Sequence, residues 1–141
     1  MTRTFLLATF VYAAITLVLG MTWHFILFKD LYDSLGIYNR QEPIIPLGFT
    51  SMLLQGLIIA YLYPSFNKGG HPIGQGIKFA LLIGLFMFSV STLANAAKIH
   101  VASMSTWLMV QTAFHLIQFT VVGVGIGLIY GPAPREHAHG L

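Results

Sequence analysis

Residues 106–130 read TWLMVQTAFHLIQFTVVGVGIGLIY and carry no formal charge. A helix rising about 1.5 Å per residue would cover roughly 37 Å with that stretch, more than the ~30 Å hydrocarbon core of a bilayer. The stretch therefore reads as a membrane span, although it keeps Gln111, His115 and Gln118. Three further segments, residues 5–28, 46–63 and 77–97, approach the ~20 apolar residues a crossing needs.

Composition agrees. Of the 141 residues 56% are hydrophobic and only 8% charged, too few charges to cover a soluble surface, and mean hydropathy is +0.77. The absence of cysteine rules out a disulfide, a thiolate metal site and a cysteine nucleophile. A net charge of +3, scattered along the chain, gives no nucleic-acid surface. The start, MTRTFLLATFVYAAITLVLG, has the basic head and apolar run of a secretory signal. The run continues to Phe28, longer than a signal's core, so it is expected to remain as the first span.

The expected fold is an all-α membrane protein: a four-helix transmembrane up-down bundle in one domain, residues 1–131, with a polar tail at 132–141. The linkers KDLYDSLGIYNRQEPIIP, PSFNKGGHPIGQG and KIHVASMS are short, which favours antiparallel neighbours. An even number of spans puts both termini on one side. That side carries Arg3, Lys68, Lys78 and Arg135 against Lys29, Arg40 and Lys98, so cytoplasmic termini are expected from the positive-inside rule. Trp23 and Trp107 then fall near the outer interface, where indoles prefer to sit. The linker after the first span has two readings. DLYDSLGIY could form an interfacial helix capped by Asp30, with Leu31, Tyr32 and Leu35 toward lipid and Gly36 as its stop. Alternatively the linker seals the outer end of the bundle. NKGGHPIGQG lacks phosphate-loop spacing and reads as a flexible turn.

Each span carries a polar-or-small stripe at helical spacing. The first has Tyr12, Thr16, Gly20 and His24; the second Gly48, Ser51 and Gln55; the third Ser91, Asn95 and Lys98; the fourth Gln111, His115 and Gln118. Polar groups are costly against hydrocarbon, so the stripes should face each other or a partner protein, chiefly in the outer half. The plainer inner half holds Gly123 and Gly127, spaced for close helix approach.

Two function classes follow. One is a non-catalytic accessory or structural subunit packing against a larger membrane complex, for which the small size and the lack of a complete catalytic set argue. The other is a bundle that binds a ligand or cofactor (a quinone, lipid, haem or metal) through His24, Gln55, Asn95, Gln111, His115 and Gln118. His24 and His115 are the candidate metal or haem ligands, and Met21, Met52, Met87, Met104 and Met109 the candidate soft ligands for copper. EHAHG in the tail is a candidate Cu(II) or Ni(II) site. No cofactor is required by the sequence. Ser-His-Asp chemistry and proton relays are disfavoured because every acidic residue lies outside the spans.

The segments WHFILFKDLYDSLGIYNRQEPIIPLGFTSMLLQGLIIAYLYP, GIKFALLIGLF, NAAK and FHLIQFTVVGVGIGLIYG resemble a family of small four-span bacterial integral membrane proteins of unknown function. The resemblance covers residues 5–131. It implies a four-helix bundle in the bacterial inner membrane and transfers no functional residues.

Overall fold

A computed structural model describes residues 2–37, 40 and 42–132. Four helices in it are long and apolar enough to cross a membrane: α1 (Thr2–Leu27), α3 (Ile45–Phe66), α4 (Pro72–Ala96) and α5 (Met104–Tyr130). Between the first two lies a short helix, α2 (Lys29–Leu35).

Of the boundaries that move from their sequence-based positions, the start of α4 and the end of α3 do so at a proline. The segment HPIGQG is the opening turn of α4 rather than a flexible linker. Pro72 occupies its first turn, where a missing N–H costs nothing and a fixed φ helps. The turn itself sits at Gly69 and Gly70, whose φ of 106° and 97° favour glycine. At the end of α3 the helix runs through Pro64 to Phe66. Pro64 cannot donate to the Ala60 carbonyl, and the Tyr130 hydroxyl donates to that oxygen instead, at 2.6 Å. A partner from α5 thus supplies the hydrogen bond that the proline withholds.

In lipid the helices gain little from hydrophobic transfer, so close packing has to hold them together. α4 and α5 make the most extensive contact. A Cβ on Gly123 would lie 2.5 Å from Ile77 Cα, and one on Gly127 would lie 2.5 Å from the Pro72 carbonyl oxygen. Gly76 answers from α4, where a Cβ would meet Gly123 O at 2.1 Å. Further along, the Phe119 ring fills the space over Gly84. High-numbered residues of α5 therefore meet low-numbered residues of α4. The central core joins Tyr12, Ile59, Tyr63, Phe79, Phe119, Val122 and Ile126, drawn from all four long helices.

The segment after α1 seals one end of the bundle. Tyr32 and Leu35 are buried against Val101, Trp107 and Val110 rather than facing lipid. The Ala102 amide donates to the Leu35 carbonyl at 3.1 Å, tying α2 to the α4–α5 connection. Asp30 does not cap α2; the helix begins at Lys29 with no side-chain cap, and Gly36 ends it at φ 71°. Trp107 is also inside, its Nε1 donating to the Thr92 carbonyl at 3.3 Å. The half-buried Trp23 packs on Phe28 and Phe114. Both indoles pack in the cluster at the α2 end of the bundle.

Candidate functional site: a polar-lined cleft below the α2 seal

The polar stripes do meet. Tyr12, Thr16, Gly20 and His24 of α1, Gly48, Ser51 and Gln55 of α3, Ser91 of α4, and Gln111, His115 and Gln118 of α5 line one cleft of about 400 Å³. Leu17, Met21, Phe25, Met52, Met87, Phe114 and Phe119 complete its apolar wall. An apolar space of this size with a few convergent polar groups is the usual form of a small-molecule site.

Most of the polar groups are held in place by one another. The Tyr12 hydroxyl donates to Gln55 Oε1 at 2.6 Å, and Gln55 Nε2 donates to Ser51 Oγ at 2.9 Å. Gln118 Nε2 donates to Thr16 Oγ1 at 3.1 Å, bridging α5 and α1. His115 Nδ1 lies 2.8 Å from the Gln111 carbonyl, which can only accept, so Nδ1 carries the proton. In the neutral ring Nε2 is then an acceptor, and Ser91 Oγ donates to it at 3.1 Å. Such bonds fix rotamers and leave a defined set of unused donors.

Gln111 is the main one of these. Its Oε1 accepts from the Tyr32 hydroxyl at 2.9 Å, so the α2 seal orients the amide. Its Nε2 makes no hydrogen bond to the described residues and is not fully buried, so it keeps some exposure where the side chain lines the cleft. His24 Nδ1, by contrast, is fully buried without a partner among the described residues, as are Trp23 Nε1 and Thr92 Oγ1 outside the cleft. A buried polar atom left so costs about 1–3 kcal/mol.

α1 and α4 each widen into a π-helical turn at this level, Thr22–Leu27 and Ser89–Leu93. His24 sits in the first and Ser91 in the second. Single π-turns inside longer helices occur often at functional sites. Apolar periodicity does not show them, since one residue more per turn leaves a greasy segment looking the same.

The cleft continues toward the α2 end. A second cavity of about 780 Å³ shares His24, Phe25, Gly48 and Ser51 with it and is lined further out by Lys29, Asp33, Ile37, Arg40, Pro43, Ile44 and Leu47. Lys29 pairs with Asp33, and that hydrogen bond, with the carboxylate's charge, holds the Lys29 ammonium above the ordinary lysine range.

Five of the six candidate residues (His24, Gln55, Gln111, His115 and Gln118) thus share one cleft, and Asn95 does not. Asn95 is exposed, and its Nδ2 donates back to the Ser91 carbonyl at 2.9 Å in its own helix. The π-turn between Ser91 and Asn95 breaks the simple i,i+4 register that had placed them on one face. A metal or haem held between the two histidines is not supported. The Phe114 ring touches both imidazoles, at centroid distances of 4.6 Å from His24 and 5.6 Å from His115, and both His115 nitrogens are engaged. Among the described residues no group of three or more His, Cys, Asp or Glu comes together. Of the methionines, Met21, Met52 and Met87 line the cleft, whereas Met104 and Met109 are exposed elsewhere. The EHAHG motif lies outside the described residues. Sequence reasoning missed Tyr32 as the partner of Gln111, and Lys29 and Arg40 at the mouth.

No protein-family model, curated protein or solved structure matches the chain.

Proposed function

We propose that the chain is an up-down transmembrane bundle whose cleft binds an amphipathic membrane molecule, such as a quinone or a lipid. The observation that carries this reading is the Gln111 amide, oriented by Tyr32, with its N–H donors unused in a cleft whose other polar groups are mostly paired with one another. Two N–H donors suit the carbonyl or ester oxygen of such a molecule, and the cleft's apolar wall suits its chain. The up-down arrangement is supported by residue pairings that run in opposite sense, Gly76 with Gly127 and Gly84 with Phe119 across α4 and α5, and Thr16 with Gln118 and His24 with Phe114 across α1 and α5. We place the protein in a bacterial inner membrane with cytoplasmic termini. The support is the excess of Arg3, Lys68, Lys78 and Arg135 over Lys29, Arg40 and Lys98.

Glycines make the test clean. Gly20 and Gly48 line the cleft, and a Cβ on either meets nothing within 4 Å. Gly20→Phe and Gly48→Phe should fill the cleft without displacing a helix. Native mass spectrometry of protein purified in mild detergent should find one small molecule bound to the wild type and lost from both variants. A bare wild type, or an adduct that survives both substitutions, would refute the reading.

A second reading, an accessory subunit of a larger membrane complex, is favoured by α3. Its opening turns, with Thr50 and Ser51, are exposed beside the cleft. A partner's transmembrane helix laid there would bury them. In that case the same preparation carries a second polypeptide in place of the small molecule.

A further inference from the structure

Resting on the cleft as a ligand site, we propose that its occupant is an anionic glycerophospholipid, with one acyl chain in the inner chamber and its phosphate at the mouth. The two cavities divide by chemistry. The inner one is walled by Leu17, Met21, Met52 and Phe119, surfaces for a hydrocarbon chain. The outer one presents two cations, Lys29 and Arg40, against one carboxylate, Asp33. Between them stand His24 and Ser51, which belong to both.

The chain order fits that division. His24 lies in the closing π-turn of α1 and Lys29 opens α2, so the cations stand at the outer end of the cleft's polar middle. Ester carbonyls need donors, and the Ser51 hydroxyl and the Gln111 amide supply them. Ser51 Oγ accepts from Gln55, which leaves its own proton to donate. A neutral quinone would use the amides but leave the charged mouth without a function. The Lys29–Asp33 pair does not close that mouth: both side chains are more than half exposed, and surface pairs of this kind are weak. A phosphate diester can therefore compete for the ammonium, while Arg40 offers a planar fork suited to phosphate oxygens.

The test uses the purified full chain, delipidated in neutral detergent and titrated with phosphatidylglycerol or phosphatidylcholine of identical chains, with bound lipid counted by native mass spectrometry. Phosphatidylglycerol should bind more tightly than phosphatidylcholine. Lys29→Gln and Arg40→Gln should each cut that preference about fivefold, and together abolish it, with phosphatidylcholine binding unchanged. Asp33→Asn should enlarge the preference. Glycerol phosphate without chains should not bind. Equal binding of the two lipids to wild type, a preference that survives the double substitution, or tight binding of glycerol phosphate would overturn the proposal. Gly20→Phe separates the two levels: it should abolish binding of both lipids, and if it abolishes neither the cleft itself is the wrong site.

Discussion

Replacing Gly123 by alanine tests whether the α4–α5 seam holds the bundle together. The added Cβ would sit 2.5 Å from Ile77 Cα and 2.8 Å from Gly76 O, where ordinary contact begins at 3.4 Å. Both neighbours are backbone, so no side chain can swing aside, and the helices must part by about 0.9 Å (3.4 less 2.5). A gap of that order forfeits roughly a quarter to a half of each dispersion contact along the seam, and overpacking of this kind costs about 1–3 kcal/mol. Against this stands the gain of roughly 0.5–1 kcal/mol from removing a glycine within a helix. Gly125 supplies the control. It lies in the same helix, but its Cβ would meet only the side-chain tips Val11 Cγ1 at 3.3 Å and Ile15 Cδ1 at 3.4 Å. Gly125→Ala should therefore be neutral or slightly stabilising, and Gly123→Ala less stable than it by about 2 kcal/mol. Reversible unfolding in mixed micelles, followed by tryptophan fluorescence, would measure both. Equal midpoints for the two variants, or a lower one for Gly125→Ala, would refute the claim that backbone contact at the glycines sets the packing.

Three other outcomes follow from the same physical reasoning. Tyr130→Phe should cost about 1–3 kcal/mol in the native background, because it strands the Ala60 carbonyl. In a Pro64→Ala background, where residue 64 regains its N–H, the same change should cost clearly less, and equal costs in the two unfolding experiments would sever the link between Pro64 and Tyr130. Nitrogen NMR of the His115 ring should show Nδ1 protonated and Nε2 bare; the reverse tautomer would contradict the Ser91 hydroxyl as donor. Since the chain has no native cysteine, Ser34→Cys and Ser65→Cys report orientation directly. An impermeant maleimide applied to whole cells should label position 34 and spare position 65, and the opposite pattern would invert the topology.

How far the sequence disclosed this molecule depended on which physical signal each part used. Long apolar runs place the spans to within a few residues, because crossing a bilayer demands them. The ends differ where proline acts: Pro72 starts a helix that apolar counting delays to residue 77, and Pro64 sits inside one that counting stops at Tyr63. The Gly123–Gly127 spacing announced a close approach, but its partner Gly76 hid in a stretch that looked like a turn. At the site, i,i+4 spacing gathered His24, Gln55, Gln111, His115 and Gln118 correctly into one lining. It failed for Asn95, because a π-turn shifts the register by a residue and apolar patterning is blind to that. Tyr32 and Leu35 were read toward lipid in one version of the loop, and amphipathic spacing alone cannot separate a lipid-facing side from one docked on Trp107.

The central claim, that the cleft holds a particular membrane molecule, is met most directly by photocrosslinking from inside it. A benzophenone amino acid in place of Met52 would lie in the cleft wall, whereas the same group at Met109, 69% exposed and away from the cleft, would sample bulk lipid. After irradiation in native membranes, mass spectrometry of the adducts should find one molecular species dominating at position 52 and the bulk lipid mixture at position 109. The same mixture at both positions, or a partner polypeptide at position 52, would contradict the account.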